Sequence, residues 1–379
     1  MQNLRYWLIN LICTLLRAFP LPTRTGLRTI GKPGREAPVF LTGNFLLTVE
    51  RVKRALRGID CYLLVADSRG INVWCGAAGG YLTNHSVISV IKTSGIEQQV
   101  NHRKIILPQL AASGIETREV THRSGWHVVW GPVYAADIPA FMENQQKKNG
   151  GMHQVAFPLI QRLEMALMWA FPFSLIVSLL TYFISPESLG PLNGLIWGLS
   201  LLIFICFPLY DRWFLRNKDS LKISRFTIVF DLGKSMLFFS GLALLAAALY
   251  LLLAPQPDWN LLWRWGLYAL VIVLLLSLDL LGSTPMYKSG LHEDRFLKVI
   301  LNREKCCTAG FCRQVCLRDC FEVDKARGIT TIPRGEACVK CGACIVQCPF
   351  DALTFQHPDG RTISPQLIRT HKLNLLGTR

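Results

Sequence analysis

The run Cys338-Val339-Lys340-Cys341-Gly342-Ala343-Cys344-Ile345-Val346-Gln347-Cys348-Pro349 decides the reading of this chain. Cysteines at these intervals, closed by proline, let three thiolates wrap one iron–sulfur cube while the fourth reaches a second cluster. A structural zinc site would use two separated C-x2-C pairs. The segment therefore reads as a bacterial-type 2[4Fe-4S] ferredoxin-like domain that moves electrons. A degenerate copy precedes it. Cys306, Ala309, Cys312 and Cys316 repeat the intervals, with alanine at the second ligand position and Leu317 where the proline would be. Cys307 and Cys320 stand near enough to replace the missing ligand, which leaves open a rewired 4Fe-4S cluster or a 3Fe-4S cluster with an empty corner. On the usual crossover, Cys338, Cys341, Cys344 and Cys316 serve one cluster, and Cys306, Cys312 and Cys348 with Cys307 or Cys320 serve the other.

Working outward, 13 cysteines occur in 379 residues, and most of them fall between Cys306 and Cys348. So local a usage argues for metal sites in a reducing compartment rather than a disulfide scaffold. The formal charge of +16 is not gathered into one patch, so no nucleic-acid partner is expected. The basic residues flank apolar segments instead, as in membrane proteins.

Four stretches, roughly 165–184, 192–210, 235–254 and 265–282, are apolar enough to cross a bilayer, for which about 20 helical residues suffice. Only Asp279 brings a charge into them. Arg212, Arg216, Lys218, Lys222 and Arg225 lie between the second and third, which places that loop in the cytoplasm. An even number of spans returns both flanking segments to the same side. The expectation is a multi-pass protein of the inner (cytoplasmic) membrane with N- and C-terminal domains in the cytoplasm. The apolar segment 6–19 is too short to span and lacks a small-residue cleavage site, so it reads as an interfacial helix, with 20–38 as a linker.

From 38 to about 150, short apolar runs alternate with amphipathic segments. Strands are expected at 39–41, 61–66, 104–107, 117–120 and 127–130, and helices at 48–56, 84–92 and 138–145. The alternation indicates a Rossmann-like α/β domain, whose ligands bind beyond the carboxyl ends of the strands. The loop after residue 67 is therefore a candidate site. It reads Asn72-Val73-Trp74-Cys75-Gly76-Ala77-Ala78-Gly79. Asn72 can cap a short helix bearing Trp74 and Cys75, and the small residues allow a large flat group to approach the backbone. His102 and His127 read as structural side chains.

Asn72-Val73-Trp74-Cys75 followed by small residues resembles the cap-helix signature of the mercury-methylating corrinoid protein family. The resemblance extends over 38–67 and 101–139, including His102-Arg103, Leu107-Pro108-Gln109-Leu110 and Gly131-Pro132-Val133. The chain departs from that family by placing Ala78 or Gly79 where lysine usually stands. The resemblance implies a cobalamin-type corrinoid, with Cys75 as thiolate ligand to the lower face of cobalt and residues 72–79 against the ring. It also implies a two-cluster ferredoxin partner, here fused at the C-terminus.

The sequence thus yields four regions: an interfacial helix and linker (1–37), an α/β corrinoid-binding domain (38–150), an α-helical transmembrane bundle of about four spans (160–285) and a ferredoxin-like domain (295–379). The expected function is membrane-anchored, corrinoid-dependent methyl transfer resembling mercury methylation, with the fused clusters supplying low-potential electrons to cobalt. A methyl-folate system is the expected donor, a soft metal or thiol the acceptor, and a redox donor protein the electron source. The competing reading is a membrane-bound iron–sulfur electron-transfer protein without corrinoid chemistry.

Overall fold

Six consecutive residues, Cys61-Tyr62-Leu63-Leu64-Val65-Ala66, are buried. That pattern belongs to a parallel strand covered on both faces. It occurs here in a computed structural model that describes residues 2–17, 19–210, 233–253, 260–277, 297–357 and 359–371. The chain divides into two units, one formed by 1–13, 19–156 and 297–379, the other by 14–18 and 157–296.

In the first unit the elements run α1 (Gln2–Leu15), β1 (Gly26–Ile30), β2 (Val39–Gly43), α2 (Leu46–Ala55), β3 (Cys61–Ala66), α3 (Val73–Ala78), α4 (Asn84–Thr93) and α5 (Ile96–Gln99). There follow β4 (Lys104–Pro108), a 3-10 turn (Gln109–Ser113), α6 (Thr117–Ser124), β5 (His127–Gly131) and α7 (Ile138–Glu143). The sheet order is β1-β3-β2-β4-β5. β2 pairs in parallel with β3 and β4, and β4 with β5, while β1 adds an antiparallel edge. Alternate residues of β3 enter opposite cores. Tyr62, Leu64 and Ala66 join Val73, Ala77, Val87 and Ile91 on one face, and Cys61, Leu63 and Val65 join Val49, Ile138 and Phe141 on the other.

Two expectations change here. The stretch 20–38, read as a linker, contains β1, whose register runs from Gly26 opposite Val65 to Ile30 opposite Cys61. The Gly and Pro residues flanking it masked a strand of only five residues. Residues 117–120, read as a strand, begin helix α6 instead. β-Branched Thr117, Val120 and Thr121 suggested extension, but only Val120 is buried, and Gly125 ends the helix in the left-handed region at φ 73°. A single inward residue per turn is a helical signal.

The C-terminal part of the same unit contains β6 (Lys298–Leu301), α13 (Phe311–Val315), β7 (Glu322–Asp324), β8 (Ile329–Thr331), α14 (Ala343–Val346), β9 (Leu353–Gln356), β10 (Thr362–Ile363) and α15 (Pro365–His371). The other unit holds the intervening helices α8 (Leu159–Ile184), α9 (Leu189–Ile205), α10 (Phe207–Tyr210), α11 (Gly233–Leu253) and α12 (Asn260–Ser277). The two cysteine motifs share a backbone. Thr308, Gly310 and Asp319 have positive φ, and so, at one constant offset, do Lys340, Gly342 and Asp351.

In the second unit, Ile196, Leu199, Ile203 and Phe204 of α9 pack with Ala166 and Ala170 of α8 and Val273 and Leu276 of α12. Ser200 Oγ donates to Ala166 O over 3.0 Å. Leu175, Ile176, Leu179, Leu180 and Phe183 of α8 point outward and are exposed. Among the described residues two helices, Leu159–Ile184 and Pro186–Ile205, are long and apolar enough to cross a membrane, against the four spans expected. α11 and α12 carry the apolar stretches Phe238–Leu253 and Leu262–Leu276. Arg212, Arg216, Lys218, Lys222, Arg225 and Asp279 lie outside the described residues.

A Cβ added at Gly125 would meet nothing within 4 Å. Gly125→Ala therefore has only a backbone cost, about 1 kcal/mol at a left-handed helix end. Hydrogen exchange across 117–125 is expected to accelerate about fivefold, whereas a strand at 117–120 would leave it unchanged.

Candidate cofactor sites

Parallel strands β2, β3, β4 and β5 all end at one edge of the sheet, and the loop after β3 crosses it. Asn44, just beyond β2, holds that loop. Its Oδ1 accepts from Ser68 N at 2.9 Å and Gly70 N at 2.8 Å, and its Nδ2 donates to Asp67 Oδ1 at 3.0 Å. Ser68 Oγ donates to Ile71 O at 2.7 Å and accepts from Asn44 N at 3.1 Å. The loop so fixed delivers Asn72, whose Oδ1 accepts from Cys75 N at 2.9 Å and caps α3. Asn44 was not singled out in the sequence. An apolar strand followed by Thr-Gly-Asn was the available signal.

On α3, Cys75 is the one side chain that is half-buried, while Val73, Trp74, Gly76, Ala77 and Ala78 are buried. Gly79 is buried as well. The small residues expected to face a flat ligand are therefore used inside the protein. A Cβ on Gly114 would lie 2.4 Å from Ala77 O and 2.7 Å from Ala77 Cα, so the helix backbone rests directly on the turn after β4. Trp74 Nε1 is a buried donor without a hydrogen-bond partner. His102 is structural: Lys104 N donates to its Nδ1 at 3.2 Å, which leaves Nε2–H to donate to Ala37 O at 2.9 Å. His127 lies in β5, paired opposite Lys104.

The cysteines separate into two groups. Cys306, Cys307, Cys312 and Cys348 line one cavity, together with Ala309 and Pro349. Cys316, Cys338, Cys341 and Cys344 interact electrostatically in a second place. Cys320, weighed as a replacement ligand for the first group, sits in the second. Its backbone N–H donates to Cys316 Sγ at 3.2 Å. Among the described residues, no three His, Cys, Asp or Glu side chains converge as a single metal ion would require. Thiols spread around a space suit the corners of a cluster.

Burial favours the neutral thiol at most of these cysteines. Burial pushes the Cys312 thiol up to about 11 and Cys341 up to about 12, and it raises Cys344 well above the ordinary thiol value. A hydrogen bond from Cys320, aided by Lys340, draws Cys338 down to about 6. Buried thiolates of this kind are stable only beside compensating positive charge, which iron supplies.

The cluster motifs are built into the α/β domain. Val315 and Ala343 belong to the same hydrophobic core as Val73, Ala77, Ala111 and Ala112, with Cys341 packed against it. Gln347 closes the junction. Its Nε2 donates to Ala112 O at 2.8 Å and to Ile115 O at 2.5 Å, and its Oε1 accepts from Thr117 Oγ1 at 2.9 Å. Gln109, at the end of β4, donates through Nε2 to His153 O at 3.1 Å and Cys316 O at 3.4 Å. Lys148 donates to Gln109 Oε1 and to Gln314 O, and burial lowers its pKa to about 8.

Residues 12–142 match the family model described as CO dehydrogenase/acetyl-CoA synthase delta subunit, and residues 335–354 match the 4Fe-4S binding domain. The first of these brings corrinoid binding to the N-terminal domain. The cofactors are a corrinoid and iron–sulfur. The chain is similar to acetyl-CoA decarbonylase/synthase complex subunit gamma from Methanopyrus kandleri, with 37% identity over 128 residues that make up 33% of this chain and 27% of the relative. The Archaeoglobus fulgidus subunit is 37% identical over 126 residues, 33% of this chain and 26% of the relative. That of Methanocaldococcus jannaschii is 33% identical over 157 residues, 39% and 32% respectively. The chain thus spans about a quarter to a third of the length of these relatives.

These matches overturn the resemblance to the mercury-methylating family. The similarity runs through the α/β domain to the decarbonylase/synthase subunits. The short cap-helix signature that suggested otherwise already departed from the mercury-methylating pattern at Ala78 and Gly79.

Gln347→Leu keeps the bulk at the junction but strands Ala112 O and Ile115 O, each at a cost on the order of 1–3 kcal/mol. Hydrogen exchange in 109–117 is expected to rise at least tenfold in this variant, with exchange in 189–205 unchanged. Equal exchange in both proteins would mean that the amide does not hold the junction.

Proposed function

We propose that this chain is a corrinoid iron–sulfur protein of methyl transfer, with its own ferredoxin-like segment as the electron source for the corrinoid. The observation that carries this reading is the one hydrophobic core that Ala343, from the cluster motif, shares with Ala77, from the helix bearing Cys75. An electron donor fused and packed in this way acts at a fixed position and without diffusion.

The residues at the sheet edge suit a corrinoid. Cys75 offers a half-exposed thiol on a helix whose other side chains are buried. The unpartnered Trp74 Nε1 is a donor of the kind that an amide carbonyl on the corrinoid rim would satisfy. Cys75 would hold the corrinoid through a thiolate bond to its cobalt and Trp74 would donate to a polar group on it, with Asn72, Asn44 and Ser68 holding the helix that carries them. When bound, the corrinoid supplies a cobalt centre that accepts and releases a methyl group. Cys338, Cys341, Cys344 and Cys316 are assigned to one 4Fe-4S cluster, and Cys306, Cys312, Cys348 and Cys307 to the other.

The methyl donor is assigned to the methyl-folate class. The relatives are named as subunits of a complex, so the methyl group is assigned to exchange with partner proteins, and a redox protein to supply the electrons. Attachment to the inner membrane is part of the proposal. An uncovered apolar face on α8 would be costly in water and favourable in lipid. On α1, exposed Leu4, Trp7, Leu8, Leu11 and Ile12 suit an interfacial helix.

Anaerobic purification of the full chain with cobalamin, followed by cobalt and iron analysis and an absorption spectrum, tests the reading. Stoichiometric cobalt is expected, with a spectrum that changes in Cys75→Ala while iron stays constant. Iron without cobalt would defeat the proposal. Trp74→Phe removes one donor and preserves shape. It should weaken corrinoid binding about fivefold, the equivalent of about 1 kcal/mol.

A further inference from the structure

The two cysteine groups differ in their access to solvent. In the second, Cys316 is 9% and Cys344 7% exposed, and Ala343 beside Cys344 belongs to the core of the α/β domain. In the first, Cys307 is exposed and Cys306, Cys312 and Cys348 are half-buried around their cavity. Two aromatic side chains lining that cavity also reach solvent, Phe311 at 41% and Phe350 at 52% exposure. Exposed apolar surface of this kind, gathered at the mouth of a cavity, marks a place of contact. The charge around it is mostly of one sign. Thiols apart, Lys305 is the one charged side chain among the described residues lining the cavity, and a Cβ built on Gly310, another lining residue, would lie 3.7 Å from Lys325 Cε. Both lysines are exposed. The carboxylates beside this mouth are largely neutralised, Asp324 by Arg327 at 3.6 Å and Asp351 by Arg369 at 2.5 Å. Between 298 and 318 five basic residues stand against one carboxylate, Glu304.

We infer that the mouth of this cavity is the docking surface for a small acidic one-electron carrier protein. The first group of cysteines is then the entry point for electrons, and the second, whose motif shares a core with α3, is the relay toward the corrinoid side. The inference rests on the cluster assignment proposed above and adds the partner's chemistry and its place of contact. Electron tunnelling weakens steeply with distance, so a donor must sit against the more accessible cluster. Thiolate ligation makes that cluster's surroundings negative, which by itself would repel an acidic partner. Lys305 and Lys325 offset this charge and steer carboxylates to the mouth, while Phe311 and Phe350 supply apolar contact at its centre. One electron leaves the reduced carrier, which is oxidised, and reduces the cluster held by the four cysteines. No bond or proton moves.

The test uses the anaerobically purified full chain in detergent, with flavodoxin, an acidic carrier that contains no iron, as the probe. Stopped-flow spectroscopy follows cluster reduction by reduced flavodoxin and, separately, by the deazariboflavin radical, a small uncharged reductant that needs no docking. Raising the salt from about 50 to about 300 mM should slow the flavodoxin reaction about fivefold, because exposed charges are screened. At low salt, Lys305→Glu/Lys325→Glu should slow it about tenfold and Glu304→Lys should speed it about twofold, with iron content unchanged and the deazariboflavin rate within about twofold of native. Equal flavodoxin rates in all three proteins would overturn the inference. Faster reduction of the double variant would point to a basic partner and overturn it as well. Should the double variant lose iron, the salt series and Glu304→Lys decide in its place. Self-association of the native chain that the double variant abolishes would give the surface to a second copy, again overturning the inference. Native protein without iron–sulfur signals would instead defeat the cluster assignment, a failure seen before any carrier is added.

Discussion

The close contact between Gly114 and Ala77 is the constraint on which the rest depends. With no side chain at 114, the turn after β4 lies against the backbone of α3, and the same turn carries the carbonyl groups that Gln347 engages. One surface of the turn therefore supports the helix bearing Cys75, and the other supports the segment bearing the cluster cysteines. Interiors are packed at crystal-like density, so displacement on either side is transmitted. Small residues at 76–79 make this contact possible. Their chemistry is that of helix-to-turn packing.

Polar groups at the junction are arranged for the same end. Gln109 and Gln347 each reach two main-chain carbonyls. Buried amides with both N–H groups used contribute modestly to stability and strongly to uniqueness, because any alternative docking would leave them unpaired. Asn44 plays the corresponding part at the sheet edge, where it binds the loop after β3 at three points. An electron-transfer segment held in this manner differs from a tethered module. Its position is set by the same packing that folds the α/β domain.

How much of this was legible in sequence depended on how local each signal was. The second cysteine run announces its chemistry through spacing alone, and so does β3 through its unbroken apolar run. Asn72 is recognisable as a cap because capping involves residues three apart. By contrast, β1 is a short edge strand whose partner lies more than thirty residues away, and 117–120 has β-forming residues whose helical state is imposed by the one side chain that enters the core. The apolar stretches of the second unit were recognised as helices because a long run without charge is itself a local signal, and α8, α9, α11 and α12 overlap the stretches expected.

By itself the sequence determined the cluster chemistry, the α/β alternation and the candidate loop after β3, since each is encoded in the spacing of nearby residues along one strand, helix or loop. It left the missing ligand of the first cysteine motif open between Cys307 and Cys320. Only the tertiary structure separated them, placing Cys307 among the residues of the first cavity and Cys320 behind Cys316. Only the tertiary structure, too, joined the cluster motif to the helix of Cys75. Both are matters of which distant residues share a core, and that is settled by the shape and packing of the whole unit rather than by any interval in the chain.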